Sequence, residues 1–122
     1  MGAEVGDDDD PTCTDPDKYT AIFENDRVRV LEYRDTPGAR TNPHRHPDSV
    51  MYTLSNFQRR LHVDDGDARD VELEAGKAVW LPAQRHVGEN TGTTHTHVLF
   101  FELKREPTLS PVARLSDVGP AL

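Results

Sequence analysis

At 122 residues the chain has room for one domain with a modest core. Its apolar fraction of 34% is low for a globular protein, and its formal net charge of −8 is unevenly divided. Residues 1–17 hold seven acids and no base, which leaves fifteen acids against fourteen bases in a nearly neutral remainder. The acidity therefore belongs to a tail, expected to be solvated and disordered. Lys and Arg form no basic stripe with interleaved aromatics, which argues against a nucleic-acid partner. No apolar run approaches the ~18 residues of a membrane span. Asp stands where a signal peptide would be basic and then apolar. The single cysteine, Cys13, excludes an internal disulfide and fits a reducing compartment, so the expected location is cytoplasmic.

Beyond the tail, turn signals recur every eight to twelve residues, the rhythm of an all-β sandwich or barrel. Tyr19 to Phe23 reads as a strand that turns at Glu24-Asn25-Asp26. Arg27 to Tyr33 alternates, placing Val28 and Val30 on one face and Arg27 and Arg29 on the other, and it ends at Thr36-Pro37-Gly38. Ser49 to Leu54 is a further apolar run. Arg60–Val63 and Arg69–Leu73 flank Asp64-Asp65-Gly66-Asp67, where Asp-Gly predicts a hairpin. Ala75-Gly76 turns into Ala78–Leu81, and His95 to Leu103 is the last and longest strand. Gly and Pro interrupt every window long enough for a helix. The expected organisation is a disordered tail over 1–17, a barrel over 18–105 and a partly ordered, Pro-punctuated extension over 106–122.

Chemistry concentrates in the segment Gly38-Ala39-Arg40-Thr41-Asn42-Pro43-His44-Arg45-His46-Pro47. Pro47 and Pro43 disfavour helical backbone at the residues before them, so the His44-Arg45-His46 stretch is extended. Residues two apart then project to one side, which puts both imidazoles on one face and, by the same parity, Arg40 with them. Neutral imidazole suits Zn, Fe, Ni or Cu, and a mononuclear site needs a third ligand from elsewhere. His86, after the turn Pro82-Ala83-Gln84-Arg85, is the candidate. His95-Thr96-His97 shares the spacing without the proline bracket and reads as structural or as a support behind the ligands, while His62 reads as a polar-face residue.

The stretch from Gly38 to Asn90 resembles the cupin superfamily, small RmlC-like jelly-roll or double-stranded β-helix barrels. Gly38, His44 and His46 match the first family motif, and Gly76, Pro82, His86 and Asn90 match the second. The nearest subgroup is the short single-domain cupins, some named for β-alanine degradation. The second motif's turn is one residue shorter here, and Gln84 stands nearest to its glycine. The family's carboxylate ligand falls at Ser49 or Val50, neither of which can supply it. The resemblance thus implies an all-β barrel whose divalent metal is held by three neutral histidines, His44, His46 and His86. It is similar in this to cupin dioxygenases that use three histidines with Fe(II); Zn, Ni, Mn and Cu are the other candidate ions.

Such a shell leaves the metal charge uncompensated and favours an anionic ligand. Arg40 is then the candidate to hold a substrate carboxylate. Tyr52, on one face with Val50 and Leu54, is the candidate proton donor inside the barrel, or else a core tyrosine with its hydroxyl satisfied. The leading expectation is a dioxygenase-like enzyme acting on a small oxygenated or carboxylate-bearing molecule. The alternatives are a non-catalytic small-ligand or metal binder and, more remotely, a metal-independent isomerase or epimerase, which would need a His–Asp pair. Apolar surface on Tyr19–Phe23 and His97–Leu103 predicts a homodimer.

Overall fold

Short, β-branched and alternating segments pair into two antiparallel sheets in the computed structural model, which describes residues 8–63 and 66–104. The strands are β1 (Tyr19–Glu24), β2 (Val28–Asp35), β3 (His44–His46), β4 (Ser49–Thr53), β5 (Phe57–Val63), β6 (Ala68–Leu73), β7 (Ala78–Leu81), β8 (Gln84–Asn90) and β9 (Thr96–Leu103). One sheet runs β1-β2-β9-β4-β7 and the other β3-β8-β5-β6. Their facing sides enclose a core of Tyr19, Leu31, Tyr33, Met51, Phe57, Val98 and Phe100. The expected β5–β6 hairpin is present, with His62 paired to Ala68 and Gly66 at φ +93° in the turn. Asp64 and Asp65 of that turn lie outside the described residues.

The β2–β9 ladder, from Val28↔Leu103 to Asp35↔Thr96, organises the interior. Val28 and Val30 alternate as expected, but the face turned to the barrel interior is the other one, Arg29, Leu31, Tyr33 and Asp35. Leu31 and Tyr33 supply more apolar area there. The charged residues at the two ends of this face are each paired inside the protein. Arg29 Nη2 meets Glu102 Oε1 at 2.8 Å, and Asp35 Oδ2 accepts from Arg59 Nη1 at 2.6 Å. A buried charge is tolerable only when paired in this way.

The acidic segment departs from its expected disorder over its described part. Residues Pro11–Thr14 form one helical turn, α1, which starts with proline and is capped by Asp10 accepting from Thr12 N at 3.1 Å. The segment is fastened to the barrel through specific partners: Arg29 Nη2 donates to Asp10 Oδ1 at 2.7 Å, Arg45 N to Asp9 O at 2.8 Å, and Asn42 N to Asp15 Oδ1 at 3.1 Å. Composition predicted a solvated run because these partners lie far away in sequence. Residues 1–7 and the expected extension 106–122 lie outside the described residues.

Arg59 reaches across the barrel wall past Gly88. Its guanidinium also donates to Thr96 Oγ1 at 3.1 Å and to the Tyr33 hydroxyl at 3.1 Å. A Cβ at Gly88 would lie 2.8 Å from Arg59 Nη2, and the guanidinium is too well tied to move cheaply. Gly88→Ala should therefore lower stability by about 1–3 kcal/mol, the usual range for overpacking. Urea unfolding measures this, and an unchanged or raised midpoint would contradict the fit.

Candidate metal centre

β3 lies antiparallel to β8 with His44 opposite His86 and His46 opposite Gln84. That register, with the two-residue spacing inside β3, brings three buried imidazoles onto one inward face. Ring centroids are 4.8 Å apart for His44–His46 and His44–His86, and 5.2 Å for His46–His86. One ligand atom from each falls within 4.8 Å of the others.

Each ring is held from its Nδ1 side by a different acceptor. His44 Nδ1 is 2.8 Å from the Asn42 carbonyl oxygen, His46 Nδ1 is 2.8 Å from Glu102 Oε2, and His86 Nδ1 is 2.7 Å from Gln84 Oε1. The Gln84 amide is oriented by its own nitrogen, which donates to the Pro82 carbonyl at 3.1 Å. All three contacts select the tautomer with the proton on Nδ1 and leave Nε2 as a lone-pair donor, the arrangement metal-ligating histidines adopt. The Tyr19 hydroxyl sits 3.3 Å from His44 Nε2 and 3.4 Å from His46 Nε2. Burial, and then the neighbouring Tyr33, push its phenol well above the ordinary tyrosine range, so it keeps its proton.

Burial also sets the charge of the rings. It lowers His44 to about 4 and His86 to about 2, with the neighbouring His46 adding to both shifts. Negative charge stands one step behind the rings instead of beside the Nε2 atoms. Glu102 is on the Nδ1 side of His46, and Asp15 Oδ2 is 3.9 Å from His44 Nδ1. Glu102 is in turn held by Arg29, and Arg29 by Asp10, so a chain of charges links α1 to His46.

Ser49 is the register partner of Glu102 across β4 and β9. Its Oγ is the one buried side-chain polar atom without a hydrogen-bond partner among the described residues. Such a group costs about 1–3 kcal/mol. Three convergent imidazoles with their Nδ1 sides engaged, and without an inward carboxylate among them, fit a divalent ion that takes nitrogen ligands.

The structure brings together the three expected histidines and separates the other two candidates from them. Arg40 is exposed and bridges to Glu89 on the outer side, Nη1 to Oε1 3.4 Å. The parity that placed it beside the histidines breaks between Arg40 and His44: Thr41 turns inward, and Asn42 and Pro43 are exposed. Tyr52 also faces outward, 38% exposed, because Ser49, Met51 and Thr53 take the inward positions of β4. The phenol at the site is Tyr19. His62 pairs with Glu89 and His97 with Glu32, both away from the cluster as expected. Sequence reasoning passed over Glu102, although an acid on one face with Val98 and Phe100 in the most apolar strand is itself a signal.

No protein-family model and no curated protein matches the chain. Solved structures do. A cupin domain from Bordetella pertussis Tohama I is 28% identical with a TM-score of 0.66, covering 71% of this chain and 92% of that one. A protein with a double-stranded β-helix domain from Klebsiella pneumoniae is 20% identical, with a TM-score of 0.56 over 70% and 72% of the two chains. The polyketide cyclase RemF from Streptomyces resistomycificus is 22% identical, with a TM-score of 0.53 over 76% and 72%. The fold is that of the cupin superfamily. Two antiparallel sheets closing on a buried histidine cluster agree with it. A cupin barrel can carry many chemistries, so the reaction must be argued from the site.

The depressed histidines give a signed pH dependence for the metal-free protein. Above about pH 6.5 both folded and unfolded chains hold these rings neutral. Below it the unfolded chain takes up protons that His44 and His86 refuse when folded. Their contribution is therefore lost as pH falls from about 6.5 through 4, where His44 titrates, and on toward 2 for His86. Urea midpoints across this range should fall with acidification, and less steeply in His86→Gln. A midpoint that rises as pH drops would contradict buried neutral rings.

Proposed function

We propose that this chain is a small single-domain cupin that binds one divalent metal through His44, His46 and His86. We further propose that it works as a dioxygenase-type enzyme on a small oxygenated substrate, with ferrous iron as the ion. The observation that carries the reading is the convergence of three Nε2 atoms whose Nδ1 sides are already occupied. A general acid–base site needs one such imidazole, not three.

A bound ion would supply Lewis acidity, redox chemistry and a template for two reactants. The chain's own residues do the rest. Asn42, Glu102 and Gln84 fix the ring directions, and His44 and His86 remain neutral ligands well below neutral pH. Tyr19 holds a proton on its hydroxyl next to the Nε2 atoms, in reach of a substrate oxygen placed there. Met51, Val98 and Phe100 form an apolar wall beside the histidines. With no carboxylate ligand the site remains cationic, which favours an anionic oxygen donor such as an enolate or carboxylate.

A second reading draws on one specific contact. The His46–Glu102 pair, with the Tyr19 hydroxyl at His46 Nε2, is the acid–base arrangement a metal-independent isomerase would need. Metal analysis of protein purified without added metal separates the two. The metal reading expects about one equivalent in the wild type and a large loss in His86→Ala. Substoichiometric metal with no loss on substitution would contradict it. Oxygen uptake by ferrous-loaded protein, across small diketones, thiols and aromatic diols, then tests turnover. Silence there with tight ligand binding would leave a non-catalytic binder.

A further inference from the structure

The two sheets end in β6 and β7, and no ladder joins these edge strands. Between them a cavity of about 280 Å³ runs inward to His44, His86 and Tyr19. Its walls come from both edges and the core: Leu61, Val71, Leu73, Val79, Leu81 and Phe100. Exposed Arg69 and Trp80 stand at its rim, with Trp80 53% exposed. Among the described residues, the lining contains no Asp, Glu or Lys. Its one interior cation, Arg59, is already neutralised by Asp35 and shares its remaining contacts with Tyr33 and Thr96.

From this geometry, and resting on the metal reading above, we infer that the substrate class is an apolar molecule with a single metal-chelating oxygen head. The head lies at the inner end of the cavity, against His44, His86 and the Tyr19 hydroxyl. The body fills the channel between β6 and β7, where partly exposed apolar side chains gain from being covered. An apolar cavity of about 150 Å³ accommodates benzene, so this one has room for a ring and a short extension. A second charged group on the body would find no free counter-ion along the described apolar walls, and this disfavours sugar nucleotides and dicarboxylates. Among the described residues, the rim Arg69 is the cation of the lining placed to meet a polar tail at the mouth.

Two ligands with the same head and different bodies separate the two halves of this inference. On cobalt-loaded protein, benzohydroxamate should bind at least tenfold tighter than acetohydroxamate, since each buried methylene-sized group adds about 0.8 kcal/mol. Val71→Phe, at the partly exposed edge and outside the metal shell, should remove most of that difference and leave cobalt uptake unchanged. In the metal-free protein, ethylbenzene should shift the emission of Trp80, the chain's single tryptophan. Equal affinities for the two hydroxamates, or an emission unmoved by saturating ethylbenzene, would overturn the apolar body. Ethylbenzene binding without cobalt uptake would overturn the metal reading, and with it the chelating head.

Discussion

Three imidazoles with ligand atoms within 4.8 Å of one another, buried in a small barrel, cannot all carry charge and must present the same ring nitrogen to share one ion. Burial penalises a charge on any of them, and proximity penalises a second. A neutral imidazole still has two tautomers, and only one leaves Nε2 free. The protein resolves this with three unlike acceptors on Nδ1: a backbone carbonyl, a carboxylate and a side-chain amide. Much of the surrounding structure follows from holding those acceptors in place. The β3–β8 register sets Gln84 opposite His46 and two residues from His86, and the β4–β9 register sets Glu102 behind His46.

The placement of charge follows the same logic. A carboxylate among the Nε2 atoms would neutralise half the charge of a divalent ion. Here Ser49 occupies the position where such a group would be expected, and the buried acid is its neighbour Glu102. Glu102 carries its charge into the interior only because Arg29 meets it, and Asp10 meets Arg29. A pair of this kind orients groups more than it stabilises the fold, because desolvation consumes much of the attraction. The acidic N-terminal segment thus belongs to the architecture of the site. At the other end of the β2 ladder Arg59 and Asp35 cancel one another, which keeps the cavity between the two ends apolar.

Much of this was legible in the sequence, and the exceptions have physical reasons. Proline-bracketed His44-x-His46 announced an extended segment, and His86 lies opposite His44 as a third ligand requires. Strand positions followed from turn spacing, but the inward face did not always follow from hydrophobicity. In β4 the run Val50-Met51-Tyr52 has no alternation to fix its parity, so Tyr52 was placed one residue out of phase. Arg40 failed because parity does not pass through the non-strand residues before Pro43. The segment Asp9–Asp15 read as a solvated run because an ion pair with Arg29 or a hydrogen bond with Asn42 joins residues distant in sequence. Tyr19 carries no sequence signal of its place at the site, because one buried residue in an otherwise exposed β1 leaves no periodic trace.

The central claim is that the fold itself, before any ion binds, places a proton on Nδ1 at all three positions and holds His44 and His86 neutral. Nitrogen-15 NMR of the histidine side chains in metal-free protein at neutral pH reads this directly. The account predicts a protonated Nδ1 for His44, His46 and His86 alike, and an unprotonated Nε2 for His44 and His86. A ring protonated on Nε2 alone at any of the three, or an imidazolium at His44 or His86, would contradict it.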